Sequence, residues 1–168
     1  MGSKPRSRWE RGAAFALAIL FASPVPAQQP PTALPIGVDE IVWYRAPARC
    51  AFATPETYAA FRFAEPETWR FRFLVMTGAT VPDGAPAFEH AYVMMEGALR
   101  ELEKVRSGEN GEGAVVTVWR SAVEPRVNVS TTLRREATGE GRETWSGTLA
   151  MIRGNGTQET AITGFCRT

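Results

Sequence analysis

Ala87-Phe88-Glu89-His90-Ala91-Tyr92-Val93-Met94-Met95-Glu96-Gly97-Ala98-Leu99-Arg100-Glu101-Leu102-Glu103-Lys104-Val105-Arg106 admits two readings, and the fold class turns on the choice. Read as a helix, Phe88, Ala91, Met95, Leu99, Leu102 and Val105 form one apolar stripe, and Ser107-Gly108 ends it. That reading gives an α+β fold, with a helix over 86–106 packed on an antiparallel sheet. Read as a hairpin, Ala91 to Met95 is a buried strand, Glu96-Gly97 turns, and Ala98 to Val105 returns. Gly97 inside a helix costs about 1 kcal/mol relative to alanine, and Tyr92-Val93-Met94-Met95 is apolar on every side. The hairpin needs a bulge near Leu99-Arg100-Glu101-Leu102, where alternation fails.

The flanking sequence favours the hairpin. Thr68 to Thr77 alternates, with Trp69, Phe71, Phe73 and Val75 on one face and Arg70 and Arg72 on the other, which reads as one half-buried strand. Val81 to Pro86 is a loop. Downstream, Ala114 to Arg120, Val127 to Leu133, Trp145 to Ile152 and Thr160 to Cys166 read as strands. Between them lie a Gly-rich turn over Ser107 to Gly113, a charged turn over Arg134 to Gly141 and a tight turn at Gly154-Asn155-Gly156. Upstream, Glu40 to Arg45 is β-favouring, and Cys50-Ala51-Phe52 extends the pairing. Thr54-Pro55-Glu56 is a helix start, with Thr as cap and Pro in the first turn, and leads into a short helix through Phe61. Short strands separated by turn residues predict a mainly β fold, a small antiparallel barrel or sandwich with at most one or two short helices.

The first residues carry a different message. Lys4, Arg6, Arg8 and Arg11 precede an uncharged run from Gly12 to Ala22, and Ser23-Pro24-Val25-Pro26-Ala27 follows. A basic flank, a short apolar core and small residues at the cleavage position make a secretory signal peptide over 1–27, cut after Ala27. The run is 11 residues, against roughly 20 for a membrane-spanning helix. Residues 28–38, with Pro30, Pro31 and Pro35, read as a flexible lead-in, and 39–168 as a single β-rich domain. A Sec-type bacterial signal directs the chain to the periplasm or the medium, with no transmembrane segment in the mature protein.

Export changes the charge and the cysteines. Without residues 1–27, the 168-residue chain keeps 141, with 15 Lys/Arg against 17 Asp/Glu. A slightly acidic chain without a basic face does not read as a nucleic-acid binder. Cys50 and Cys166 are the two cysteines, and an oxidising compartment pairs them as a disulfide. Two Cys and one His are too few for a structural zinc site, so the sequence calls for no metal and no cofactor.

Catalytic signatures are sparse. His90 is the one histidine, with Glu89 beside it, but strand neighbours point to opposite faces. Glu101 and Glu103 share a face of a strand, flanked by Arg100 and Lys104, which is the pattern of a solvated surface. No serine sits in a Gly-x-Ser-x-Gly elbow. A hydrolase using Glu101, Glu103 or His90 is therefore the least favoured class. The rings of Trp43, Tyr44, Trp69, Phe71, Phe73, Trp119, Trp145 and Phe165 either fill a core or line a mouth. Trp43, Tyr44, Arg70, Arg72 and Trp119 are the candidate ligand or partner surface.

The stretch Ala91-x-Val93, Gly97, Leu102, Val105-x-Ser107-Gly108 and Trp119 resembles the middle of the periplasmic c-type lysozyme inhibitors, over about a fifth of the chain. That resemblance implies a small β-barrel. In the family, a Ser-Gly-x-x-Tyr motif and a Lys after the Trp carry the inhibitory contacts. Here Ser107-Gly108 stands without the Tyr, and Arg120-Ser121 follows Trp119. The expectation is a non-enzymatic, exported β-domain that binds a partner or envelope component, an envelope protein or a small apolar ligand. The alternatives are a barrel carrying a small apolar ligand and a lysozyme-inhibitor-like protein.

Overall fold

A computed structural model of the chain describes residues 37–42, 48–78, 88–139 and 141–168. The deciding segment is a hairpin: β6 spans Glu89–Met95 and β7 spans Ala98–Glu109, with no helix between them. Their turn is Glu96-Gly97, and both residues have positive φ, 51° and 72°. The left-handed conformation suits a two-residue hairpin loop and is easy for glycine. The α+β alternative is thereby excluded. The bulge lies further along than the alternation suggested, between Lys104 and Arg106 where β7 pairs with β8. Val105 takes up the extra position and stands half exposed.

The other strands run in chain order as β1 (Val38–Asp39), β2 (Ile41–Val42), β3 (Cys50–Ala53), β4 (Arg70–Phe71) and β5 (Phe73–Thr77). After the deciding hairpin come β8 (Val115–Ser121), β9 (Asn128–Gly139), β10 (Arg142–Arg153) and β11 (Gly156–Arg167). Each of β6 to β11 pairs antiparallel with the next; β11 pairs with β3, β3 with β5 and β5 with β6. The ring β3-β5-β6-β7-β8-β9-β10-β11 is closed: an eight-stranded antiparallel barrel. Closure leaves no free edge in the ring to template aggregation. β1 continues the β5 side of β6 at its far end, with Val38 opposite Met95, and β2 pairs with β4 in a separate two-stranded ribbon.

Three further sequence expectations need correction. Thr68 to Thr77 is not one strand. A 3₁₀ turn occupies Pro66–Thr68, and the strand breaks at Arg72 between β4 and β5. The alternation resets there: Phe71 packs outside the ring beside Leu74, whereas Phe73 and Val75 point inside it. The backbone N–H of Arg72 donates to the Phe52 carbonyl at 2.7 Å, so the break is itself anchored. Arg134 to Gly141 is not a turn either. β9 and β10 continue through it as far as the pair Gly139 and Arg142, with a register shift at Thr144/Trp145. Cross-strand pairs such as Arg135–Glu143, at 2.8 Å, give this charged segment sheet partners. The Gly-rich turn is shorter than expected, at 110–114, where the Asn110 side chain accepts from the N–H groups of Glu112 and Ala114 at 3.0 and 2.9 Å. The helix forms as expected: α1 is Pro55–Ala60, capped by Thr54 Oγ1, which accepts from Thr57 N–H at 3.3 Å.

Apolar residues form two clusters. Inside the ring, Phe52, Phe73, Val93, Leu102, Trp119, Val129, Leu149, Met151 and Ile162 are almost fully buried. Outside it, α1 and the following loop cover Ala51, Ala53, Leu74, Phe71 and Phe165. Phe61 is the hub of that outer layer, within 5.7 Å of both Phe71 and Phe165, ring centre to ring centre. Arg142 caps the layer, its guanidinium 4.3 Å from the centre of the Phe63 ring.

Two glycines let the ring bend. A methyl group on Gly147 would lie 1.9 Å from the Thr132 carbonyl oxygen, and one on Gly164 would lie 2.1 Å from the Ala51 carbonyl oxygen. Gly164 is the cross-strand neighbour of both Trp145 and Phe52, so the missing side chain makes room for two rings.

The signal-peptide reading of 1–27 and most of the lead-in 28–38 lie outside the described residues, as do Trp43, Tyr44 and the predicted loop at 81–86. The described residues all belong to one compact unit. No helix among them is long and apolar enough to cross a membrane.

Candidate functional site

The two ends of the barrel differ because the sequence fills them differently. At one end lie the turn at 96–97, the loop at 122–127 and the turn at 154–155. There Met95, Leu102, Val127, Met151 and Ile162 pack the interior shut. Ser121 seals this end: its hydroxyl accepts from Val127 N–H at 3.0 Å and donates to the Val123 carbonyl at 3.1 Å.

The opposite end is open. A cavity of about 290 Å³ enters the barrel there, lined by Phe52, Phe73, Val75, Leu133, Trp119 and Trp145. That is close to the lower end of small-molecule sites, roughly 300–1,000 Å³. The floor is aromatic and ordered: Phe73 meets Trp119 edge-on at 5.6 Å, and Phe52 lies 6.2 Å from Phe73. Cys50 and Cys166 form one side of the wall, with their sulfurs at disulfide-bonding distance. They are direct partners of β3 and β11. The adjoining pair is joined by a bond from Arg167 N–H to the Arg49 carbonyl, so the cysteines occupy a non-hydrogen-bonded pair, where side chains stand closest.

The polar groups of the cavity sort into partnered and unpartnered ones. Trp119 donates its indole N–H to Thr131 Oγ1 at 3.3 Å, and Ser107 Oγ shares a 2.8 Å bond with Thr117 Oγ1. Trp145 differs: its Nε1 is buried and has no hydrogen-bond partner among the described residues. A buried unpaired donor is costly and is the exception in folded proteins. At the rim, the Glu89 carboxylate bridges two cations, Arg49 through one oxygen and Lys104 through the other. Lys104 is the direct cross-strand partner of Trp119, which places it on the inward face of β7. Arg135 and Glu143 form a further pair at 2.8 Å, with the Arg135 guanidinium 5.8 Å from the centre of the Trp145 ring.

No protein family, curated protein or solved structure matches this chain. The site is therefore read from its own chemistry.

Of the expected ligand or partner surface, Arg70, Arg72 and Trp119 are among the described residues. Trp119 lines the cavity. Arg70 and Arg72 instead share Glu40, at 3.4 and 3.9 Å, and Arg72 also donates to the Val38 carbonyl. These two arginines tie β4 and the break after it to the start of the described chain. Trp43 and Tyr44 are outside the described residues. The alternation that set Arg70 and Arg72 apart from the rings did identify polar positions. The rim residues Arg49, Glu89 and Lys104 were missed because each reads as an ordinary surface charge. Only ring closure brings β3, β6 and β7 to one opening.

The candidate catalytic residues do meet in part, on the outer face. His90 Nδ1 lies 2.8 Å from Glu101 Oε1, within ion-pair distance but without hydrogen-bond alignment. Glu103 is the cross-strand partner of His90, and Tyr92 that of Glu101. Among the described residues, no group of three His, Cys, Asp or Glu side chains is placed to hold a metal ion. The Tyr92 phenol has its pKa raised above the ordinary value of 10.0, first by burial, then by the negative charge of Glu101 and the hydrogen bond to it. The folded protein thus holds this proton more tightly than the unfolded chain. The resulting stabilisation is complete below pH 10 and is lost as pH rises through the folded-state value. Glu101→Gln is expected to lower the Tyr92 titration midpoint without restoring the ordinary value, because burial remains. Phenolate absorbance, with Tyr92→Phe as the blank, measures this.

Proposed function

We propose that this protein is a non-enzymatic, exported binding protein whose barrel mouth takes a small ligand with an apolar body. The observation that carries the reading is the cavity itself. One end of the barrel is packed shut while the other opens onto Phe52, Phe73, Trp119, Trp145 and Leu133. A barrel evolved for stability alone fills its interior with side chains, as this one does at its closed end. Concave apolar walls with a few polar groups at the rim are the usual form of a small-molecule site. The paired cysteines support export, because such a bond persists in an oxidising compartment. The periplasm or the medium is the compartment that goes with the secretory character of residues 1–27.

Octanol is a suitable first probe, because two tryptophans line the cavity and their emission reports its occupancy. Titration is expected to give a saturable change in tryptophan fluorescence and a matching calorimetric isotherm. Val115, at the mouth and only partly buried, offers a way to fill the cavity without disturbing the packed end. Val115→Trp is expected to abolish octanol binding while unfolding at the same temperature within about 4 °C, the shift from roughly 1 kcal/mol in a domain of this size. Unchanged binding by that variant, or no binding by the parent, removes the proposal.

A further inference from the structure

We infer that the ligand of the barrel mouth carries a negatively charged head group, seated at the rim against Lys104 and Arg49. The inference rests on the small-ligand reading above and specifies its chemistry.

The charges that line the cavity are Arg49, Glu89 and Lys104. Glu89 is mostly buried, its side chain 14% exposed, and both of its oxygens are engaged, one by each cation. One carboxylate between two cations leaves the lining with a net positive charge. The nearby Arg135 and Glu143 neutralise each other and do not change this sum. Lys104 and Arg49 remain partly open to solvent on the sides turned away from Glu89, at 39% and 51% exposure. A second carboxylate can therefore reach them from the mouth and form charge-assisted bonds, the stronger class of hydrogen bond. A cationic head meets the same surplus as repulsion. Trp145 also lines the cavity, and its buried indole N–H has no hydrogen-bond partner among the described residues. It calls for an acceptor oxygen, which a carboxylate or a hydroxyl supplies and an ammonium does not. The orphan donor thus disfavours a cationic head, and the rim charge selects an anionic head over a neutral one.

The test compares octanoate, octanol and octylamine, which share a tail and differ in the head, by calorimetry on the purified protein at low salt. Octanoate is expected to bind at least about tenfold tighter than octanol, the ratio that one hydrogen bond to a charged group supplies, and octylamine weakest. Two substitutions then move the preference in opposite directions. Lys104→Met is expected to bring octanoate down to the affinity that octanol shows for the parent. Glu89→Gln adds to the surplus and is expected to strengthen octanoate binding. Unfolding temperatures within about 4 °C of the parent in both variants exclude damage to the fold as the cause. If octanoate and octanol bind the parent equally, or the two variants shift octanoate in the same direction, the anionic head is wrong while the cavity reading stands. If none of the three binds, the cavity reading itself falls.

Discussion

Replacing Cys50 and Cys166 together by alanine lowers the unfolding free energy by about 4–5 kcal/mol, the chain-entropy value for a crosslink closing a loop of this length. The two residues are 116 apart in sequence, so the bond restricts most of the described chain in the unfolded state. Its location adds to the effect. β3 and β11 share four residue pairs, from Cys50↔Cys166 to Ala53↔Thr163, the contact through which the ring closes between early and late parts of the chain. Urea unfolding of the parent and the double variant measures the difference as a shift in midpoint at similar slope. A thiol assay on folded protein purified without reductant is expected to find no reactive cysteine. Two reactive thiols per chain, or a midpoint unchanged by the double substitution, would sink this account of the seam.

Gly147→Ala is expected to cost about 3 kcal/mol or more, at the upper end of over-packing penalties. The added methyl would sit 1.9 Å from the Thr132 oxygen, 2.9 Å from its carbon and 3.1 Å from the Leu133 Cα, all backbone. No side-chain rotation relieves a clash with backbone, so β9 and β10 must separate where they are tightest. Gly108→Ala is the control, since a methyl group there meets nothing within 4 Å, and its effect is expected to stay within about 0.5 kcal/mol. Thermal unfolding of both variants checks the contrast. Equal behaviour of the two would mean that the close approach of β9 and β10 does not constrain the fold.

The sequence carried the local decisions wherever a single strand or turn was enough to make them. Gly97 argued against a helix through the deciding segment, and it sits in the hairpin turn with positive φ. Thr54 and Pro55 announced α1. Trp69, Phe71, Phe73 and Val75 looked like one face because alternation assumes an unbroken strand. The break at Arg72 sends the first pair outside the ring and the second inside, and only the hydrogen bond to Phe52, across to β3, reveals it. Arg134 to Gly141 reads as a turn because charges and glycines dominate it. Its charges find cross-strand partners instead, information that lies in the facing strand. The site was legible only as a surplus of large rings. Which rings fill the outer layer and which line the mouth depends on ring closure, which no window of neighbouring residues contains.

The position of β3 in the ring has a bearing on how the molecule assembles. β6 to β11 follow one another as neighbours and can zip up in chain order, each new strand finding the last by a short turn. β3 belongs between β5 and β11, and it can meet β11 only after the final strand has been made. Cys50 and Cys166 face each other at that junction. The cysteines covalently join the two strands whose meeting completes the barrel, and thiol trapping during refolding is expected to show whether they pair at the step when a curved sheet becomes a vessel.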